Sequence, residues 1–219
     1  MPHARLAVLV SGRGSNLEAL HAACGSGRLA AEIALVASNR PDALALTRAR
    51  AAGIATLACD SRGTGDRAAW DMAFMAAVGA ARPDWIVLAG FMRRLDGAAI
   101  APWAGRMLNI HPSLLPRHPG LDTHRRALEA GDAEHGASVH FVTAELDGGP
   151  VLAQARVPVL PGDTPERLAA RLLPLEHRLL VASLGALLSG RVRLRGDRVW
   201  VDGHAAARPL QLRADGNLS

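Results

Sequence analysis

An asparagine and a histidine stand two residues apart where a strand is expected to end. Asn109 and His111 follow the apolar run that begins at Met107. Because residues i and i+2 of a strand lie on the same face, the two side chains are expected to point the same way. An amide can donate a hydrogen bond to a developing oxyanion, and an imidazole can transfer a proton. The pair therefore predicts acyl-transfer chemistry, and a loop-capping histidine beside a backbone-bonded asparagine is the alternative.

A glycine-rich loop, Ser11–Asn16, separates an apolar strand-like run from a helical stretch. Its glycines allow a ligand to approach the backbone, and free N–H groups at a helix start favour an anion such as phosphate. The dinucleotide-binding fingerprint is incomplete, because Leu17 stands where its third glycine is needed, and no P-loop lysine is present. Ser15, with Glu18 three residues later, predicts a capping box at the helix start. The loop is therefore either an anion-binding loop or a simple tight turn.

An aspartate at a sharp turn and a group of histidines are the remaining candidates. Asp147 precedes two glycines and a proline, which predicts an exposed carboxylate, whether it serves function or only the turn. The histidines are close enough in sequence that a metal site has to be considered. None of them forms an H-E-x-x-H pair, and neither cysteine belongs to a metal-ligand pattern, so we expect no metal. These histidines are His111, His118, His124, His135 and His140.

The order of apolar runs predicts an α/β fold. We expect a mostly parallel twisted sheet flanked by helices, with a Rossmann-like N-terminal half and a C-terminal β-hairpin. In the first half, strands are expected at 6–10, 33–37, 55–58, 85–89 and 107–110, and helices at 16–24, 41–52 and 66–81. In the second half we expect a loop over 111–124, a helix at 123–131, strands at 138–142 and 151–160, a helix at 165–188 kinked at Pro174, and a hairpin from strands 192–194 and 199–201. The last fifteen or so residues are expected to be frayed.

Composition and charge exclude several classes of protein. The chain has 219 residues, 49% hydrophobic and 21% charged, which is typical of a globular protein and not of a collagenous, disordered or disulfide-framed one. No apolar run approaches the ~20 residues of a membrane span. The two cysteines indicate reduced thiols, so we expect a cytoplasmic protein. The net charge of +5 suits anionic ligands, but an aromatic content of 3% offers little for stacking nucleic-acid bases.

Five segments in a fixed order carry a resemblance to a known family. The run Asn109–Pro116 alone marks the folate-dependent formyltransferase superfamily. Together with the glycine loop, the sequence closely resembles the phosphoribosylglycinamide formyltransferase family, over about residues 5–202. The five segments are Val10–Leu17, Leu88–Arg93, Leu108–Pro116, His135–Val142 and Leu146–Pro150.

The resemblance implies a fold, a reaction and its partners. It implies one formyltransferase domain over 1–202, with a ribonucleotide phosphate-binding half at about 1–105 and a catalytic and folate-binding half at about 106–202. Residues 203–219 would form a C-terminal tail. The formyl group of 10-formyltetrahydrofolate, a co-substrate, would pass to the amine of 5-phosphoribosylglycinamide in purine biosynthesis, without a metal. The partners would be these small molecules, not nucleic acid or membrane, and the protein would be a monomer or a homodimer.

The resemblance also implies catalytic roles. Asn109 would stabilise the oxyanion, and His111 would transfer the proton between the attacking amine and the departing folate nitrogen. Asp147 would orient the imidazole and favour its charged form.

The implied binding residues form two groups. Gly14, Ser15 and Asn16 would hold the ribonucleotide phosphate, and Glu176 would lie near the glycinamide. Arg94 departs from the isoleucine that is typical of the family, and it would point to solvent if the backbone makes the folate contact. The folate site would be lined by Arg67, Met92, Arg93, Arg94, Leu95 and Asn109.

Two related enzymes and one unrelated class are the alternatives. A formyltetrahydrofolate deformylase would hydrolyse the same donor but typically carries an N-terminal regulatory domain, whereas the first strand is expected here at residue 6. A methionyl-tRNA formyltransferase carries a further C-terminal domain, whereas a short hairpin and tail are expected here after Gly190. A basic nucleic-acid-binding module would need aromatic residues among its arginines.

Overall fold

The computed structural model describes residues 3–219, which belong to two compact units. The first unit ends at Asn109 and the second begins at Ile110. The division therefore falls inside one strand, Met107–His111. The assignment of 1–202 to a single domain stays a prediction.

A parallel sheet and its connecting helices form the first unit. All four neighbouring strand pairs run parallel, in the order β5-β4-β1-β2-β3. Residues 6–10 of the central strand are completely buried, which is why this strand is a continuous apolar run in the sequence. The strands are β1 (Ala4–Val10), β2 (Ala31–Ser38), β3 (Thr56–Ala58), β4 (Trp85–Leu88) and β5 (Met107–His111). The helices are α1 (Ser15–Gly25), α2 (Leu44–Ala51), α3 (Arg67–Ala80) and α4 (Gly97–Ile100), followed by a 3-10 turn at Ala101–Trp103.

An antiparallel strand pair, a long helix and a small sheet form the second unit. β6 (Glu134–Phe141) pairs antiparallel with β7 (Val151–Pro158), and the long helix packs against both. This helix, α6 (Pro165–Leu188), continues through Pro174, and α5 (Thr123–Glu129) precedes β6. The small antiparallel sheet contains β8 (Val192–Arg195), β9 (Arg198–Val201) and β10 (His204–Ala205). The predicted α/β class, the mostly parallel strands and the C-terminal hairpin are thus confirmed.

The predicted capping box at the start of α1 is wrong. The N-cap is Gly14, which adopts a φ of +82°, and no side chain caps the helix. The Gly14 carbonyl accepts the first helical hydrogen bond, at 3.0 Å, from the N–H of Glu18. The Glu18 carboxylate pairs instead with Arg48 of α2. Because the glycine can enter the left-handed region, the helix starts without a hydroxyl cap.

The predicted start of α2 at Pro41 is also wrong, because α2 begins at Leu44. The N–H of Ala43 donates to the Arg40 carbonyl at 3.1 Å, so residues 40–43 form a turn. Proline is favoured at the second position of such a turn as well as at a helix start, and here it serves the turn.

The prediction of a frayed C-terminus is wrong. His204–Ala205 forms β10, and Leu210–Gln211 forms β11, which lies parallel to β7. Leu210 and Leu218 are buried. The Arg191 guanidinium donates to the Leu218 carbonyl at 2.9 Å, which holds the end of the chain in place. Two-residue strands carry almost no periodic signal, so these pairings could not be seen in the sequence.

Candidate active site

At the end of β5, within the second unit, the imidazole of His111 lies beside a backbone carbonyl and a carboxylate. His111 is 6% exposed, and Asn109 precedes it on the same strand and is half-buried. The Nε2 of His111 lies 3.1 Å from the His118 carbonyl oxygen, and its Nδ1 lies 3.5 Å from Oδ2 of Asp147. Since a carbonyl oxygen can only accept, Nε2 carries the hydrogen. In neutral His111 the lone pair is therefore on Nδ1, on the side that faces the carboxylate.

A second histidine and a backbone amide hold Asp147. The N–H of Gly120 donates to Oδ2 of Asp147 at 2.8 Å, and Nε2 of His140 lies 3.5 Å from Oδ1. The side chain of Asp147 is 8% exposed, so the predicted turn does not expose its carboxylate. A Cβ on the neighbouring Gly149 would lie 1.9 Å from the carbonyl oxygen of Phe141, so this turn requires glycine there. Sequence reasoning considered His140 only as a metal ligand and missed its contact with Asp147.

Burial and charge act in opposite directions on His111. Burial lowers the pKa of His111, while the His118 carbonyl and the charge of Asp147 raise it, and the net pKa lies below the ordinary value. The charge of Asp147 does favour the charged imidazole, as expected, but burial lowers the pKa of His111 more than this charge raises it. Burial also raises the pKa of Asp147, but the bonds from His140 and Gly120 and the charge of His111 bring it below its usual value. At neutral pH the site therefore holds an ionised carboxylate and a neutral imidazole, which can accept a proton.

The remaining histidines form two further contacts. Nε2 of His118 lies 2.7 Å from Oδ2 of Asp132, and Arg117 pairs with the other oxygen of that carboxylate. The rings of His124 and His135 meet edge to face, with centroids 5.0 Å apart. Burial and the charge of His124 lower the pKa of His135 to about 4. Sequence reasoning missed Asp132 because a Gly-Asp pair after a helix is an ordinary turn signal.

The glycine loop brings Gly14, Ser15 and Asn16 to the start of α1 in the first unit. A Cβ on Gly14 would lie 2.6 Å from the Cβ of Ala45, so no side chain fits there. Ser15 and Asn16 are the first residues of the helix, where backbone N–H groups lack helical acceptors. Oδ1 of Asn16 is buried and has no hydrogen-bond partner within residues 3–219. The arrangement is suited to an anionic ligand.

The segment from Met92 to Leu95 is held to α3 through Arg93. Its Nε donates to Oδ1 of Asp71 at 2.6 Å, and its guanidinium lies 4.4 Å from the centroid of the Trp70 ring. The two charged side chains are 7% and 3% exposed. Arg93 also donates to the Arg67 carbonyl at 3.2 Å. The guanidinium of Arg93 is thus engaged within its own unit.

The other members of this segment differ in exposure. The side chain of Met92 is exposed, while its N–H donates to Oγ of Ser11 at 2.8 Å. Arg94 is exposed and Leu95 is buried. In the second unit, α6 carries Glu176 on its buried face.

Residues 3–219 contain no group of three or more histidine, cysteine or acidic side chains able to hold a metal ion. None of their helices combines the length and apolarity needed to cross a membrane.

Comparisons with known proteins point in one direction. Residues 4–184 match the family described as formyl transferase. Phosphoribosylglycinamide formyltransferase of Escherichia coli (strain K12) is 48% identical over 198 residues, which cover 90% of this chain and 93% of the relative. The structure of phosphoribosylglycinamide formyltransferase from Coxiella burnetii matches with a TM-score of 0.88 and 44% identity, covering 94% of this chain and 96% of the other. A formyltetrahydrofolate deformylase from Pseudomonas putida KT2440 matches with a TM-score of 0.81 but 26% identity, covering 91% of this chain and 70% of the other.

Proposed function

Because the chain belongs to the formyl transferase family, we propose that it transfers the formyl group of 10-formyltetrahydrofolate to the amine of 5-phosphoribosylglycinamide, a step of purine biosynthesis. The two phosphoribosylglycinamide formyltransferases described above, at 48% and 44% identity, support this substrate pair over the deformylase at 26%. The observation in the molecule that carries the proposal is the buried His111, whose Nε2 is bonded to a carbonyl and whose Nδ1 faces an ionised carboxylate.

The proposed chemistry is direct acyl transfer. The amine nitrogen attacks the formyl carbon, a C–N bond forms, and the carbonyl oxygen becomes an oxyanion that the Asn109 amide stabilises. Nδ1 of His111 takes a proton from the attacking amine and Asp147 stabilises the resulting imidazolium. The bond from the formyl carbon to the folate nitrogen then breaks, and that nitrogen takes the proton from His111. The products are formylglycinamide ribonucleotide and tetrahydrofolate, and His111 is neutral again.

We assign the ribonucleotide phosphate to Gly14, Ser15 and Asn16, where backbone N–H groups and the positive end of α1 attract an anion. Glu176 is assigned to the glycinamide, since a carboxylate attracts an amine. Both assignments follow from the resemblance and from the local structure at each residue.

The folate is assigned to Arg67, Asn109 and the segment Met92–Leu95. Because the Arg93 guanidinium is committed to Asp71 and Trp70, the segment would contact the folate through its backbone and through Met92. Arg94 is exposed, and we expect its departure from isoleucine to affect the reaction little. A cytoplasmic location, and action as a monomer or homodimer without nucleic acid or membrane, stay predictions.

One assay tests the reaction. The protein is incubated with 10-formyltetrahydrofolate, with and without 5-phosphoribosylglycinamide, and tetrahydrofolate release is followed. We expect release only when the acceptor is present, with formylglycinamide ribonucleotide formed in equal amount. Equal release without the acceptor would identify a deformylase instead.

A variant tests the assigned proton-transfer group. His111→Ala should lower kcat by at least ~10² while a folate analogue binds nearly as before, because a positioned proton-transfer group is lost. Circular dichroism shows whether the variant is folded, and a folded variant with normal kcat would refute the role of His111.

A further inference from the structure

One short segment, residues 118–120, supplies partners on both sides of the His111 imidazole. The His118 carbonyl accepts from Nε2 of His111 at 3.1 Å. The N–H of Gly120 donates at 2.8 Å to Oδ2 of Asp147, which is the oxygen that faces Nδ1 of His111. A displacement of this segment would therefore change the surroundings of both ring nitrogens of His111 at once.

A buried carboxylate anchors the same segment. Oδ2 of Asp132 lies 2.7 Å from Nε2 of His118, and the side chain of Asp132 is 5% exposed. The backbone of His118 has a φ of +52°, which side-chain-bearing residues rarely adopt, so it needs to be held by its surroundings. Just before it, Oγ of Ser113 donates to the Arg117 carbonyl at 2.7 Å. The segment is thus held at two points, the His118 ring and the Arg117 carbonyl.

We propose that Asp132 and His118 are positioning residues for His111. By anchoring the His118 ring, Asp132 keeps the His118 carbonyl on Nε2 of His111, so that neutral His111 is always the Nε2–H tautomer and Nδ1 is the nitrogen that exchanges protons. A wrong tautomer would present a hydrogen where a lone pair is needed. The inference rests on the proposed role of His111, but the tautomer can be measured without substrate.

The first test is spectroscopic. Long-range 1H–15N correlation spectra of 15N-histidine-labelled protein report which ring nitrogen of His111 carries the hydrogen. We expect the Nε2–H tautomer in the parent protein, and a mixture of tautomers in His118→Phe and in Asp132→Ala. Unchanged Nε2–H signals in both folded variants would overturn the proposal, even if the protein is shown to be a formyltransferase.

The second test is kinetic. Each single variant should lose roughly tenfold to 10²-fold in kcat, as expected for a misplaced catalytic group, with the KM of both substrates unchanged. If both residues act through one contact, the fold loss in kcat of the double variant should be no larger than that of the less active single variant. Losses that multiply would show independent effects and would overturn the proposal.

The pH dependence adds a readout that a purely structural role would not change. The His118 carbonyl raises the pKa of His111, so its displacement should lower that pKa and move the rise of activity with pH to lower pH. The charged and titratable groups near His111 are Asp147, His118, His140, Arg126, His124 and His135. In Asp132→Ala only His118 should be displaced while Asp147, His140, Arg126, His124 and His135 stay in place, so an unmoved profile would count against the proposal.

Two control variants separate positioning from loss of an ion pair. Arg117→Gln removes the other partner of Asp132 and leaves the His118 contact. Asp163→Ala removes another carboxylate of the same unit, 4% exposed and paired with Arg171 at 2.6 Å. Both controls should keep the Nε2–H tautomer and the parent pH profile. A tautomer change in either control would show that general loosening of the unit is enough, and the proposal would fail.

Discussion

At the level of single residues, Asp147 has an effect on His111 that can be separated from burial. Its charge raises the pKa of His111, and burial lowers that pKa more strongly. Asp147→Asn removes the charge but keeps an oxygen that can accept from Gly120. The pKa of His111 should then fall further, and the rise of activity should move to lower pH, while kcat falls about tenfold or more.

The pH–rate profile checks this prediction. Glu145→Gln is the matched control, because Glu145 is an exposed carboxylate in the same turn. If the profile of Asp147→Asn overlays that of the parent, then Asp147 serves only the turn.

A second residue-level prediction concerns the ion pair beneath the segment Met92–Leu95. Asp71 pairs with Arg93 and also accepts from the N–H of Asp96 at 3.0 Å. Asp71→Ala would leave the Arg93 charge buried and unpaired, which costs about 3–5 kcal/mol of unfolding free energy. The KM for the folate should rise, because the segment loses its anchor.

Urea unfolding and steady-state kinetics measure the two effects. Asp60→Ala is the control, because its carboxylate pairs with Arg62 at 2.8 Å on an exposed surface, where a pair contributes little. Equal destabilisation of the two variants would show that the buried ion pair of Asp71 contributes no more to the unfolding free energy than the exposed pair of Asp60.

At the level of elements, the start of α1 depends on Gly14 for two reasons. Its φ of +82° is strained for any other residue, and a Cβ would lie 2.6 Å from Ala45. Gly14→Ala should therefore lower the melting temperature by several degrees and raise the KM for the ribonucleotide together. The glycine loop considered alone would predict a loss of ribonucleotide binding without a loss of stability. We do not expect that result, because α2 packs against the same glycine.

Calorimetry and steady-state kinetics test this pair of effects. Gly12→Ala is the control, since a Cβ there would meet no atom within 4 Å. A Gly14→Ala protein with unchanged melting temperature would show that α2 can move away from the new side chain without loss of stability.

The elements that could be predicted are those with long periodic signals. The alternation of buried strands and helices in the first unit, and the hairpin of β8 and β9, follow directly from apolar runs and turn residues. α4, Gly97–Ile100, was not predicted because four residues carry no helical period and only the Asp96 cap marks its start. β11 was not predicted because two residues carry no strand period and because its partner, β7, lies more than fifty residues earlier in the sequence.

At the level of the whole molecule, the residue types of the site could be predicted but most of their contacts could not. Asn109, His111 and Asp147 were found from strand-end and turn patterns and from the resemblance. The bond from the Met92 N–H to Ser11 joins residues 81 positions apart, and only the folded chain brings them together. The anchoring of His118 by Asp132 has no sequence signal, because both residues lie in segments typical of ordinary turns.

The last prediction concerns the net charge of +5, which by itself would fit a nucleic-acid-binding module. Such a module needs aromatic rings open to bases, but three of the four tryptophans, Trp70, Trp103 and Trp200, each have an arginine guanidinium 4.4–5.0 Å from a ring centroid. The fourth, Trp85, is half-buried at the start of β4. All three phenylalanines are buried. We therefore expect weak binding of a single-stranded RNA oligonucleotide at about 50 mM salt and none at about 200 mM, because only counterion release remains. Filter binding at the two salt concentrations measures this, and RNA retained at the higher one would require a stacking surface that these aromatic residues do not provide.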